Sequence, residues 1–227
     1  MTTLTIVREL TAPGSAPAGL TWDGAHLWNA DYGAARIFQL DIRGADAGKL
    51  TRTDELLCPG ALSGLAWDGH ALWQAIHDNG ALRRLNPAAH DIDVDFPLSH
   101  GWLAGLAWDG RLLWAAAQQE GQLLAVDPQN GQVLRSLAVP VAAGGLDFHD
   151  GYLWLGFPDR MSYDPVSESF DWVTDQPRFA LAQIDPTDGR EVSRFPLDFL
   201  PMGLTWVGDV LWLAHTRQRK LLQARVS

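Results

Sequence analysis

The chain has 227 residues, 47% of them hydrophobic, and 17 Lys and Arg against 27 Asp and Glu give a formal charge of −10. No run of clustered cations is present to meet a phosphate backbone or an anionic bilayer, so neither nucleic acid nor membrane is an expected partner. The single cysteine, Cys58, excludes an intramolecular disulfide and a thiolate zinc cluster, and a reducing, cytoplasmic setting is expected.

In chain order, "TLTIVREL" comes first and reads as a strand, because no charged leader is followed by a long apolar run. Five copies of one phrase follow: "GLTWDGAHLW" at Gly19, "GLAWDGHALW" at Gly64, "GLAWDGRLLW" at Gly105, "GLDFHDGYLW" at Gly145 and "GLTWVGDVLW" at Gly203. Each copy opens on glycine, has an aromatic residue three positions on and closes on tryptophan nine positions on. Asp-Gly between apolar segments predicts a hairpin, because the tight turn needs positive φ. Two more strands follow each hairpin, as in "ALRRLN" and "DIDVDF", "QLLAVD" and "QVLRSLAV", and "FALAQID" and "EVSRFPL". Four strands in about forty residues is the unit of a propeller blade. The last unit ends after three strands, at "KLLQARVS", and the N-terminal strand is the piece that completes it. The expected fold is therefore all-β, a single five-bladed β-propeller over 1–227 with an insertion at 157–179 in the fourth blade.

The repeated hairpins, with the "DPQNG" and "DPTDG" turns, resemble the propeller superfamily that holds the bacterial and plant-type glutaminyl cyclases and the forty-residue-repeat propellers. The resemblance covers essentially the whole chain and implies five blades. The cyclases carry glutamine just before the first Gly-Leu and a glutamate-serine pair after the second strand. Here those places read "APAGL" and "WNADYG", so the resemblance brings no catalytic residue with it.

Blade geometry turns the alignment into a map of one face, where loops leading into first strands meet loops joining second to third strands. The first set forms a small or apolar inner ring of Ala18, Ser63, Ala104, Gly144 and Met202, with Trp102 as its largest neighbour. The second forms a polar rim of Asn29, Asp31 and Tyr32, Gln74, His77 and Asp78, Gln118 and Glu120, Asp159 and Arg160, and His215 and Arg217. An apolar floor under a polar rim suits a small organic ligand.

Catalytic candidates are His77, His215 and Asp147. Asp147 breaks a ring of small residues (Thr21, Ala66, Ala107 and Thr205), where a carboxylate needs partners or a raised pKa. His77, His215, Asp31, Asp78 and Glu120 could offer nitrogen and oxygen to a divalent metal, although no ligand spacing exists along the chain and the metal is left open. Ser63, His77 and Asp31 can be drawn as a hydrolytic triad without a nucleophile motif. Asp91, Asp93 and Asp95 have calcium-like alternation but fall on an outermost strand, where charge discourages edge pairing. The insertion, with Tyr163, Phe170 and Trp172, is expected either to fold over the channel mouth or to fill the outside of a blade. Two classes of function follow: an enzyme or binder of a small molecule at the mouth, through proton transfer, cyclisation or hydrolysis with or without metal, or a protein-interaction scaffold.

Overall fold

The structure is a computed structural model that describes residues 3–173 and 178–227. After β1 (Leu4–Thr11), the first blade is built from β2 (Pro17–Trp22), β3 (Leu27–Asp31), β4 (Arg36–Asp41) and β5 (Thr51–Leu57). The second contains β6 (Leu62–Trp67), β7 (Leu72–Ile76), β8 (Ala81–Asn86) and β9 (Asp91–Pro97). The third contains β10 (Leu103–Trp108), β11 (Leu113–Ala117), β12 (Gln122–Val126) and β13 (Val133–Ala138). In the fourth, β14 (Leu146–His149) and β15 (Tyr152–Asp159) are followed by a hairpin of β16 (Met161–Asp164) and β17 (Ser169–Trp172), and then by β18 (Arg178–Ile184) and β19 (Glu191–Leu197). The fifth joins β20 (Gly203–Val207), β21 (Val210–His215) and β22 (Lys220–Val226) to β1, in the order β1-β22-β21-β20. The N-terminal strand thus closes the ring, pairing from Leu4 opposite Val226 to Thr11 opposite Lys220.

The repeated phrase explains the ring. Its glycines crowd the axis: a Cβ added at Gly145 would lie 2.8 Å from the Gly203 backbone, and one at Gly203 would collide with Ala18. Each closing tryptophan packs between its own blade and the next, as Trp28 does on Leu62 and Leu65, Trp73 on Leu103 and Leu106, and Trp212 on Leu20 and Leu27. An indole burying about 200 Å² at about 25 cal/mol per Å² contributes about 5 kcal/mol, so these side chains dominate blade-to-blade adhesion.

The aspartate of "WDG" clamps the hairpin at the face opposite the candidate mouth. Asp68 Oδ1 accepts from His70 N and Ala71 N at 2.8 Å, and Oδ2 accepts from Trp73 Nε1 at 2.8 Å. Asp23 and Asp109 repeat the arrangement on Trp28 and Trp114. In the fourth blade His149 stands where the clamp would be, and the buried Trp154 Nε1 has no partner.

The outermost strand β9 carries its carboxylates against arginines of β8. Asp95 binds Arg83 through two bonds of 2.7 and 2.8 Å, and Asp93 lies 3.9 Å from Arg84.

The insertion is shorter than the 157–179 expected from alignment. Phe157–Asp159 and Arg178–Phe179 belong to the blade, because β15 and β18 pair through Phe157 with Ala180, Pro158 with Phe179 and Asp159 with Arg178. Part of the predicted segment, 174–177, lies outside the described residues.

Candidate functional site

The five Gly-Leu phrases start at one end of the channel, the upper mouth, and run down to the Asp-Gly hairpins at the lower mouth. Strand direction separates the sequence candidates accordingly. His77, just past β7, and His215, at the end of β21, lie at the upper mouth, whereas Asp147, within β14, lines a different cavity. The structure therefore does not gather His77, His215 and Asp147 into one catalytic set.

At the upper mouth the inner ring is packed shut by the crowded glycines: Ala18, Ser63 and Ala104 are each 1% exposed. Ser63 Oγ faces the carbonyls of Ala75 and Leu103, at 3.0 and 2.8 Å. His77 Nδ1 lies 3.0 Å from the same Leu103 oxygen. Asp31 is fully buried and accepts from the backbone N–H groups of Ala16, Gly33 and Ala34, which holds its loop. The three residues drawn as a triad are thus each bound to backbone. Glu120 is tied to His100 at 2.6 Å, Asp159 pairs with Arg194 at 3.4 Å, and Asp78 and Arg160 are exposed. Among the described residues, no three of His, Cys, Asp and Glu converge as a metal site.

Two arrangements remain at this mouth. The first is a run of rings across four blades: Tyr32 against His77 at 5.8 Å, His77 against Trp102 at 5.3 Å, Trp102 against Phe170 at 6.0 Å, and Phe170 against Tyr163 at 5.0 Å. Phe170 and Tyr163 come from the β16–β17 hairpin. The Tyr163 hydroxyl accepts from Gln119 Nε2, and Gln119 Oε1 in turn accepts from Trp102 N at 3.0 Å. The inserted hairpin is therefore docked on the upper face, against the loops of the third blade.

The second is a cavity of about 370 Å³ between the fourth and fifth blades, lined by Phe179, Asp198, Phe199, Leu200, Met202, His215, Thr216, Arg217 and Gln218. His215 stacks on Phe199 with centroids 4.3 Å apart and planes 8° from parallel. Burial holds its imidazole below the ordinary value, against the opposing pull of the Asp198 and Glu9 charges. Gln218 N donates to His215 Nδ1 at 3.4 Å, so the neutral ring carries its proton on Nε2 and is a hydrogen-bond donor there. His77 has the opposite tautomer, since Nδ1 donates to a carbonyl and Nε2 keeps the lone pair. Its pKa is also lowered, mainly by burial.

The cavity unites three residues marked in the sequence, Met202, His215 and Arg217, with others that alignment did not mark. Phe199 and Leu200 lie one step back from the predicted inner ring, in "DFLPMGL", whose apolar run before the glycine was the available signal.

With this architecture in view, comparison with solved structures is decisive for the fold. The chain is similar in fold to a glutaminyl cyclase. The crystal structure of Myxococcus xanthus glutaminyl cyclase superposes with a TM-score of 0.76, covering 100% of this chain and 97% of that one at 15% identity. A chain in the crystal structure of the mitotic checkpoint complex matches at a TM-score of 0.56, covering 97% and 91% at 13% identity. At these identities the similarity to the cyclase and to the checkpoint-complex chain is one of fold alone. No protein-family model matches the sequence, and no curated protein matches it.

Proposed function

We propose that this propeller binds a small zwitterionic metabolite of amino-acid size in the cavity between its fourth and fifth blades. What supports the reading is the composition of that cavity. Phe179, Phe199, Leu200 and Met202 supply apolar wall, His215 supplies a neutral donor, and Arg217 and Asp198 stand at the rim with opposite charges. A guanidinium and a carboxylate facing one cavity match the carboxylate and ammonium ends of an amino acid. A glutaminyl ligand belongs in the first set to be tried, given the name of the M. xanthus structure.

The test is thermal unfolding of purified protein with a panel of free amino acids and amino-terminal glutaminyl peptides. A ligand at a hundred times its Kd adds about 2.7 kcal/mol, which raises Tm by several degrees in a chain of this size. Arg217 is exposed, so Arg217→Ala keeps the fold, and loss of a charge-assisted bond weakens the ligand by about tenfold or more. A panel with no responder, or a responder indifferent to Arg217→Ala, rejects this site.

A further inference from the structure

Over the first three blades and the inserted hairpin, the upper face carries the arc of rings from Tyr32 through His77, Trp102 and Phe170 to Tyr163. None of the five lines the cavity between the fourth and fifth blades, so the small-molecule reading leaves the arc unused. We propose that the arc is a docking surface for an extended segment of a partner protein bearing arginine or lysine.

The rings are surface groups. Tyr32 is 42% exposed, the other four are half-buried, and none of the five belongs to the hydrophobic clusters that fill the blade junctions. Aromatic side chains gathered outside a core are the common currency of protein interfaces. Their centroids follow one another at 5.0 to 6.0 Å, close to the spacing of about 7 Å between alternate side chains of an extended chain.

Charge selects the partner. An exposed aspartate directly follows three of the rings: Asp78 after His77, Asp164 after Tyr163 and Asp171 after Phe170. Glu120 and Glu168 lie in the same loop and hairpin. The one arginine among residues 32–35, 77–80, 100–102, 118–121 and 160–173 is Arg160, and His100 is already tied to Glu120 at 2.6 Å. On the hairpin the aspartates alternate with the rings and so occupy its opposite face, from which they draw in a basic partner through their field.

His77 adds a directed contact. Its Nδ1 donates to the Leu103 carbonyl at 3.0 Å, which leaves Nε2 as an acceptor on a ring flanked by Tyr32 and Trp102. An arginine or lysine N–H can donate to that nitrogen while the side-chain stem lies over the neighbouring rings. An acidic segment has no donor to offer there and meets Asp78 instead.

The experiment is fluorescence anisotropy of a rhodamine-labelled peptide of alternating arginine and alanine, at physiological ionic strength, with alternating glutamate and alanine as the control. Saturable binding of the arginine peptide alone is expected. Asp78→Asn combined with Asp171→Asn should weaken it about threefold or more, and Tyr32→Ala about threefold. Asp91→Asn combined with Asp209→Asn removes the same charge from β9 and from the turn between β20 and β21, and should leave binding unchanged. Equal weakening by the two pairs would reduce the effect to the chain's overall charge of −10 and overturn the assignment. So would failure of the arginine peptide to bind, or spermine competing at the peptide's own concentration. All four aspartates are exposed, so the paired comparison stands even if Tyr32→Ala does not fold.

Discussion

At the scale of single residues, Asp147 is the costly one. Its carboxyl titrates near 7 in the folded chain, about three units above an unfolded aspartate, because burial outweighs the bonds from Trp206, Phe148 and Thr205. Between those two pKa values the folded state binds the extra proton. Stability is therefore greatest below about pH 4 as far as this group is concerned, and falls as pH rises toward 7. The full difference is up to about 4 kcal/mol. Asp147→Asn should flatten this dependence, with a higher Tm than wild type at pH 8 and little change at pH 5. Scans of both proteins across pH 4–8 check it, and parallel curves would show that the carboxyl is not the source. The alignment exposed this residue because a carboxylate interrupts a ring of small side chains. Its separation from His77 and His215 became visible only in the folded ring, where it lines a cavity with Thr21, Ala66 and Thr205.

At the scale of elements, the repeated hairpin owes its shape to the aspartate as much as to the glycine after it. Gly24, Gly69 and Gly110 adopt φ between 93° and 98°, and the preceding aspartate bonds two backbone N–H groups and one indole. The fourth blade instead turns through Asp150 and Gly151 with φ of 50° and 83°, and leaves its indole N–H unpaired. Asp68→Ala removes three acceptor bonds and strands the Trp73 N–H, a loss of about 2–3 kcal/mol by urea unfolding. A change below about 0.5 kcal/mol would mean that solvent replaces the clamp. Asp-Gly as a turn was legible in the sequence. The indole bond was not, because it joins residues across the hairpin whose side chains meet only once the strands pair.

Across the whole molecule, closure rests on β1. The strand shares its full length with β22, and Thr3 and Ser227 exchange backbone bonds of 2.8 and 3.0 Å at the seam. Deleting residues 1–11 leaves β22 as an open edge and uncovers Leu222 and Ala224 in the core between the fourth and fifth blades. The deletion variant is expected to lose its single cooperative transition, or to aggregate through that edge, while a circular permutant joining Ser227 to Thr3 through a short linker retains it. Calorimetry of the two constructions distinguishes them, and a cooperative deletion variant would show that the seam is dispensable.

The number of blades, the hairpin in each and the borrowed N-terminal strand were all determined by the sequence alone. Period and turn chemistry are local signals, and five repetitions make them unambiguous. The candidate sites belong to tertiary structure. Glycines that crowd the axis seal the upper centre, so the cavity there opens off-axis, where Phe199 and His215 stack across a blade junction. The third-position aromatics pack against the cores between blades, and only the closing of the ring sets Asp147 of the fourth blade beside Trp206 of the fifth. A repeat encodes its own interior pairing, whereas a cavity forms where five repeats fail to fill space, and that shortfall is set by their packing together.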